Sequence, residues 1–279
     1  MPVHDQSYRH YAGQRSLHGR AWWVIARTGI LEQLRKRRFL ALLLFAWSLF
    51  FVRAVQIYVS SSFAQASFLA PDAQTFREFL DQQRAFVFFV TIYAGAGLIA
   101  DDRRANALQI YLSKPITRLE YVSGKLLTLV VFLVAVTWLP AVLLVLLQMM
   151  FSGGTGLLST HPLLIPAITL ACALQVAVAA TTVLALSSLS RSRRFVAVLY
   201  AGIVLFAAAM SQALRVTTGS RAWAWVSPQE TLSVITDAIF GMSREPGLPL
   251  AIAVALVAAL IAVSIAVLAR RVRAVEVVG

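Results

Sequence analysis

Six long apolar stretches dominate the chain: 39–60, 85–100, 126–150, 163–189, 195–214 and 248–269. A helix needs about 20 apolar residues to cross about 30 Å of hydrocarbon. The second stretch is short. It is expected to extend outward, because Thr75-Phe76-Arg77-Glu78 reads as a capping box ahead of it. Period-two alternation is absent, and the runs are too long for barrel strands. A lipid-facing backbone must satisfy its own polar groups, so the pattern predicts an all-α polytopic fold of six spans. Composition agrees: 59% of residues are apolar and 13% charged, against about 45–50% and about 25% in soluble domains. A water-soluble globule and a disordered chain are both excluded.

The net charge is +13, from 25 Lys and Arg against 12 Asp and Glu. It resembles a nucleic-acid binder's charge until it is mapped. The segment before span one, the 101–125 loop, the turn after span four and the tail hold 19 basic residues against six acids. The remaining loops, with Arg53, sum to zero. The positive-inside rule then predicts both termini in the cytoplasm. The chain divides into a cytoplasmic N-terminus (1–38), a six-span domain (39–269) and a cytoplasmic tail (270–279). The basic residues read as membrane-flanking anchors, so the partner is a lipid bilayer and not nucleic acid. Ala64-Gln65-Ala66 imitates a signal cleavage site, but 38 residues precede the apolar run, so the first span is read as retained. Arginine outnumbers lysine 22 to 3, a composition that points to a bacterial source and so to the bacterial cytoplasmic membrane.

The apolar stretches lack the parts of catalysis. They contain no Asp, Glu, His or Lys, and Arg53 is their only charge. Ion-coupled transporters usually need intramembrane ionisable groups. Neither H-E-x-x-H nor G-x-S-x-G occurs. Cys172 is alone, and four scattered histidines have no metal-ligand spacing, so no metal site is expected. Two decoys fail. Gly95-Ala96-Gly97-Leu98-Ile99-Ala100 imitates a dinucleotide fingerprint but sits in a membrane span, where small residues serve close helix packing. Gly124-Lys125 lacks the first glycine and the Ser/Thr of a phosphate loop. The chain is therefore expected to be no enzyme and to bind no ATP or other cofactor. Uphill movement would have to draw its energy from another subunit.

Three segments carry information. In 101–125, residues 104–114 are predicted to form a short helix carrying Leu108 and Tyr111, stopped by Pro115. Thr117-Arg118-Leu119-Glu120 then caps the helix entering span three. In 17–38, Trp23, Ala26, Ile30 and Leu34 share a face, and the tryptophans and arginines suit a helix in the headgroup layer. In the 215–247 loop, Ser227-Pro228-Gln229-Glu230 starts a helix that Gly241 ends. That helix is too short to span, so it should lie in the outer leaflet or re-enter. Arg53 has two readings: it snorkels to headgroups or lines a translocation path. Gln148 and Gln175 are candidates for interhelical hydrogen bonds, and Pro140 and Pro166 for kinks.

The motif Ala105-Asn106-Ala107-Leu108-Gln109, Leu112-Ser113-Lys114-Pro115-Ile116-Thr117-Arg118, then Tyr121, Gly124 and Lys125, resembles the permeases of type-2 ABC exporters. The six-span, both-ends-inside layout extends the resemblance over nearly the whole chain. The resemblance implies a cytoplasmic coupling helix that docks on an ATPase, through Arg103, Arg104, Leu108, Tyr111 and Lys114. It also implies an amphipathic elbow helix with Trp22, Trp23, Arg27 and Arg35, and a short re-entrant helix before span six. The implied partners are two copies of a separate ABC ATPase, carrying ATP and Mg, and a second permease in a homo- or heterodimer. The expected function is ATP-driven export of a cargo that the apolar spans suggest is lipophilic or amphipathic. The alternatives are a non-transporting membrane scaffold or assembly factor, and a secondary transporter.

Overall fold

The computed structural model describes residues 21–63, 71–107, 116–151, 159–220, 222–242 and 247–272, and no β-strand occurs among them. Helix α1 (Ala21–Leu34) precedes a first pass built of α2 (Arg37–Ala46) and α3 (Ser48–Ser62). The second pass comprises α4 (Ala73–Val90), a π-helical turn (Thr91–Gly95) and α5 (Ala100–Arg104). The third comprises α6 (Arg118–Val136) and α7 (Trp138–Phe151). The fourth is α8 (Leu164–Leu189) and the fifth α9 (Arg193–Thr218). A 3-10 turn (Ala222–Val226) leads to the short α10 (Pro228–Ile239), and α11 (Leu250–Arg271) is the sixth pass. Among the described residues, six helical passes are thus long and apolar enough to cross a membrane.

The second pass is far longer than its apolar run, covering Ala73–Arg104. Its cap is Asp72, which accepts the Thr75 N–H at 2.9 Å, while the Asp72 N–H reaches Thr75 Oγ1 at 3.3 Å. The capping box therefore starts at Asp72, and Thr75 is its third helical residue instead of its cap. An aspartate in extended backbone (φ −116°, ψ −174°) is the better N-cap. The helix that this cap starts carries Arg77, Asp81 and Arg84.

Two passes are broken, and in each a neighbouring pass repairs the backbone. Pro140 has no N–H for the Val136 carbonyl, and α6 gives way to α7 at Thr137. The buried Gln83 Nε2 donates to that carbonyl at 3.0 Å. In the second pass, Ser187 Oγ of α8 accepts the Ile99 and Ala100 N–H groups at 3.1 and 2.9 Å and donates to the Ala96 carbonyl at 2.9 Å. Gly95 lies against Val183 and Leu129, so close that a Cβ would come within 2.7 Å of Val183. The glycine-rich run is a packing device, as its membrane setting requires. Pro166, by contrast, produces no break. It sits in the first turn of α8, where its missing N–H removes no intrahelical bond.

The core lies among the second, third and fourth passes. One cluster centres on Phe39, Val90, Leu129, Leu133 and Val183, and a second on Ile57, Phe79, Leu144 and Ile168. The first, fifth and sixth passes keep most side chains outward, which apolar solvent tolerates. Helix α10 is capped by Ser227 Oγ, which accepts the Glu230 N–H at 3.5 Å, and ends at Gly241, whose φ of 66° suits glycine. Its residues from Thr231 to Asp237 are all buried.

Candidate functional site

One end of the second pass meets the start of the third around a single carboxylate. Asp102 Oδ2 accepts the Tyr121 hydroxyl at 2.7 Å and Lys125 Nζ at 2.6 Å. Lys125 also lies over the Tyr121 ring, 5.6 Å from its centroid. Thr117 and Glu120 form the reciprocal cap expected of them, with N–H to oxygen distances of 2.9 and 3.2 Å. Next door, Arg103 donates to the Ser188 carbonyl, and Arg193 donates to the Tyr93 carbonyl at 2.6 Å while stacking on its ring. Arg104, Arg191, Arg193 and Arg194 line one polar recess with Asp101. Arg104 closes α5 instead of opening a new helix, and Asn106 turns the chain with a φ of 51°. Leu108, Tyr111 and Lys114 lie outside the described residues.

Helix α1 grips the same end of α6. Gly124 makes this contact: a Cβ there would sit 2.7 Å from the Trp22 carbonyl oxygen and 2.8 Å from Ile25. Gly29 abuts Thr128, whose hydroxyl donates to the Ala26 carbonyl at 3.4 Å. The packed face is therefore Ile25, Ala26, Gly29, Ile30 and Gln33, which keeps Ala26 and Ile30 of the expected stripe and leaves Trp23 and Leu34 exposed. Close approach at two glycines decides the rotation of the helix, which apolar counting gives only in part. Trp22, Trp23, Arg27 and Arg35 face outward. Glu32 receives a hydrogen bond from Lys36 at 2.9 Å, which holds its carboxyl below the ordinary range.

The opposite end of the second pass carries a different arrangement. Arg77 Nε donates to Asp237 Oδ1 at 2.7 Å, and its Nη2 to Ser233 Oγ at 2.6 Å, both on α10. Arg84 Nη1 donates to the Gln229 carbonyl at 3.0 Å and pairs with Asp81 at 3.0 Å. Arg53 Nη1 donates to Gln56 at 2.8 Å, and its Nη2 lies 3.6 Å from Glu78.

A model of the family described as ABC-2 family transporter protein matches residues 23–272. The chain belongs to that family. No curated protein matches it. As a member of the ABC-2 family it is a multi-pass membrane permease component that works with an ABC ATPase and is not itself that ATPase.

Within this ABC-2 permease, Arg103 and Arg104 stand together at the basic end, next to the packed foot of α1. Arg53 stands apart, paired at the other end. The sequence reading passed over Arg77, Arg84 and Asp237. A usable signal existed, since Arg77, Asp81 and Arg84 are spaced i, i+4, i+7 and share a helix face. That signal is faint in hydropathy, because the apolar run begins only at Ala85.

Proposed function

We propose that this permease is the membrane half of an ABC exporter, receiving work from a separate ATPase through the segment joining its second and third passes. The observation that carries this reading is the Asp102–Tyr121–Lys125 cluster. The joining segment is anchored on one side to α5 and on the other to α6, and the cluster ties those two helices together. A push on the segment therefore moves two core passes as one body, and α1 rides on the same foot through Gly124. Interfaces and packed cores switch between discrete arrangements, which is how a small displacement becomes a change of access. Two ATPase copies carrying ATP and Mg, a second permease and an amphipathic helix acting as an elbow complete the proposed assembly. Both termini and the basic end face the cytoplasm of a bacterial cell in this reading, by the positive-inside rule. Arg84 does not revive ion coupling, because a guanidinium does not give up its proton.

The test is reconstitution with the ATPase that co-purifies. Leu108→Glu and Tyr111→Glu are expected to leave the ATPase hydrolysing but no longer responsive to the permease. Normal coupling in both variants overturns the docking assignment. Uphill solute movement by the permease alone, driven by a pH or sodium gradient, overturns the function.

A further inference from the structure

Where the second pass ends beside the start of the fifth, a basic recess of about 760 Å³ opens, within the range of roughly 300–1,000 Å³ typical of small-molecule sites. Arg104, Arg191, Arg193 and Arg194 line it against one carboxylate, Asp101. Arg193 is already engaged by the Tyr93 carbonyl and ring. The side chains of Arg104, Arg191 and Arg194 make no hydrogen bond or ion pair with any described residue. Like charges gathered in a concavity focus a positive potential, and basic pockets between membrane helices bind phosphate headgroups. The recess has an apolar continuation. Arg194 stands one turn before Val198 on α9, and Phe195, Val198, Leu199, Gly202, Ile203 and Phe206 line a groove of about 400 Å³ along that helix. Phe195, Val198 and Phe206 are each more than half exposed. A Cβ at Gly202 would meet no heavy atom within 4 Å, so the groove is open at its middle. From Phe195 to Phe206 the helix rises about 16 Å, close to half of the ~30 Å apolar layer.

We propose that the recess and the groove together hold one anionic phospholipid, its phosphate among Arg104, Arg191 and Arg194 and one acyl chain along the α9 groove. Guanidinium forks match phosphate oxygens. The fifth pass begins at Arg193, so the recess lies where the apolar layer gives way to headgroups. A soluble phosphate would use the arginines and leave the groove without an occupant, and so would an acidic face of a water-soluble ATPase. The groove has the depth of a single leaflet, which is what an acyl chain fills. This is a defined site, distinct from the general attraction that places basic residues at a membrane face. The inference needs no ATPase and does not rest on the direction of transport.

The experiment uses the full chain in phosphatidylcholine nanodiscs with trace phosphatidylglycerol carrying a photo-crosslinker on one acyl chain, the matched phosphatidylcholine probe as control, and peptide mapping by mass spectrometry. Labelling of residues 195–206 by the anionic probe is expected to exceed that by the zwitterionic one about tenfold, the factor for one charge-assisted hydrogen bond. The end of α11, which bears Arg270 and Arg271, reports general attraction and is expected to show a smaller preference. Arg191→Gln combined with Arg194→Gln alters only exposed side chains and is expected to abolish the excess on α9 alone. Gly202→Phe fills the groove without touching a charge and is expected to lower the same excess. Equal labelling of α9 by the two probes, an equal preference on α9 and α11, or an undiminished excess in either variant overturns the proposal. Displacement of the anionic probe by millimolar glycerol 3-phosphate assigns the recess to a soluble phosphate, and an undiminished excess with loss of the co-purifying ATPase assigns it to that protein; both overturn the lipid. Because no nucleotide is involved, a failure here leaves the ATPase reading standing, and a failure of coupling leaves this one.

Discussion

The two ends of the second pass solve the problem of paired charge differently. At the basic end, Asp102 binds Tyr121 and Lys125, only 19 residues and a little more along the chain. At the opposite end, Arg77 binds Ser233 and Asp237, 156 and 160 residues away. The first cluster joins the end of the second pass to the start of the third, which the proposed function uses as one lever. The second fastens α10, a helix that spans nothing, onto the body of the permease. Local pairing makes a unit that can be moved, and distant pairing makes a unit that must be held. Breaking each end in turn tests that distinction.

The largest effect is expected at the distant clamp. Asp237→Ala removes the closest carboxylate from an Arg77 side chain that is only 15% exposed, and loss of one partner of a buried pair costs about 3 kcal/mol. Thermal unfolding in detergent, followed by tryptophan fluorescence, is expected to show the lower midpoint, with Asp237→Asn closer to wild type. A midpoint unchanged in Asp237→Ala removes the clamp from the account. Asp102→Ala is expected to cost less, about 2 kcal/mol, because the Asp102 carboxylate is the more exposed of the two, 18% against 10% for Asp237. Its mark is functional: the reconstituted ATPase keeps its basal rate and loses its response to the permease. Equal loss of response in Asp237→Ala and Asp102→Ala would erase the difference between the ends.

Gly124→Ala sharpens the lever side. Its Cβ meets a backbone oxygen at 2.7 Å, and overpacking of this kind costs about 1–3 kcal/mol. Helix α1 is expected to lift from α6, seen as increased hydrogen exchange over residues 21–34 alone. The smallest effect is at Glu32, on the exposed side of α1. Its carboxyl is held below the ordinary value of 4.5 by the hydrogen bond from Lys36. The stabilisation is therefore present above that value and lost as the pH falls through the lowered one. Its carboxylate is 69% exposed, so solvent screens the pair to about 0.3 kcal/mol. Glu32→Gln is expected to flatten the acid limb of the α1 exchange profile without shifting its neutral plateau.

Much of this arrangement was legible in the residues. The caps at Thr117 and Ser227 are local hydrogen bonds between neighbours, so three or four residues specify them. The Gly95 run could be assigned to packing because a dinucleotide site needs water and a βαβ unit. Pro140 announced a break, but nothing near it announced that Gln83 would supply the missing donor. The outward extension of the second pass is legible in the capping residues ahead of it, but hydropathy alone gives no hint that Arg77 and Arg84 pair with Asp81, Asp237 and a carbonyl. The face of α1 is legible in part: Ala26 and Ile30 pack as their spacing suggests, while close approach at Gly29 and Gly124 leaves Trp23 and Leu34 outside.

By itself the sequence determined six apolar passes, the charge asymmetry of the two faces and the main helix caps. Each of these depends on composition along one segment, or on contacts three or four residues apart. The tertiary structure alone decided which passes form the core. The first and fourth passes have the same mean hydropathy, yet 11% of one and 61% of the other is buried. In a bilayer the solvent is as apolar as the interior, so hydropathy carries no instruction about facing in or out. Shape does, through small residues and side-chain donors that reach across passes, and those partners meet only when the whole chain is folded.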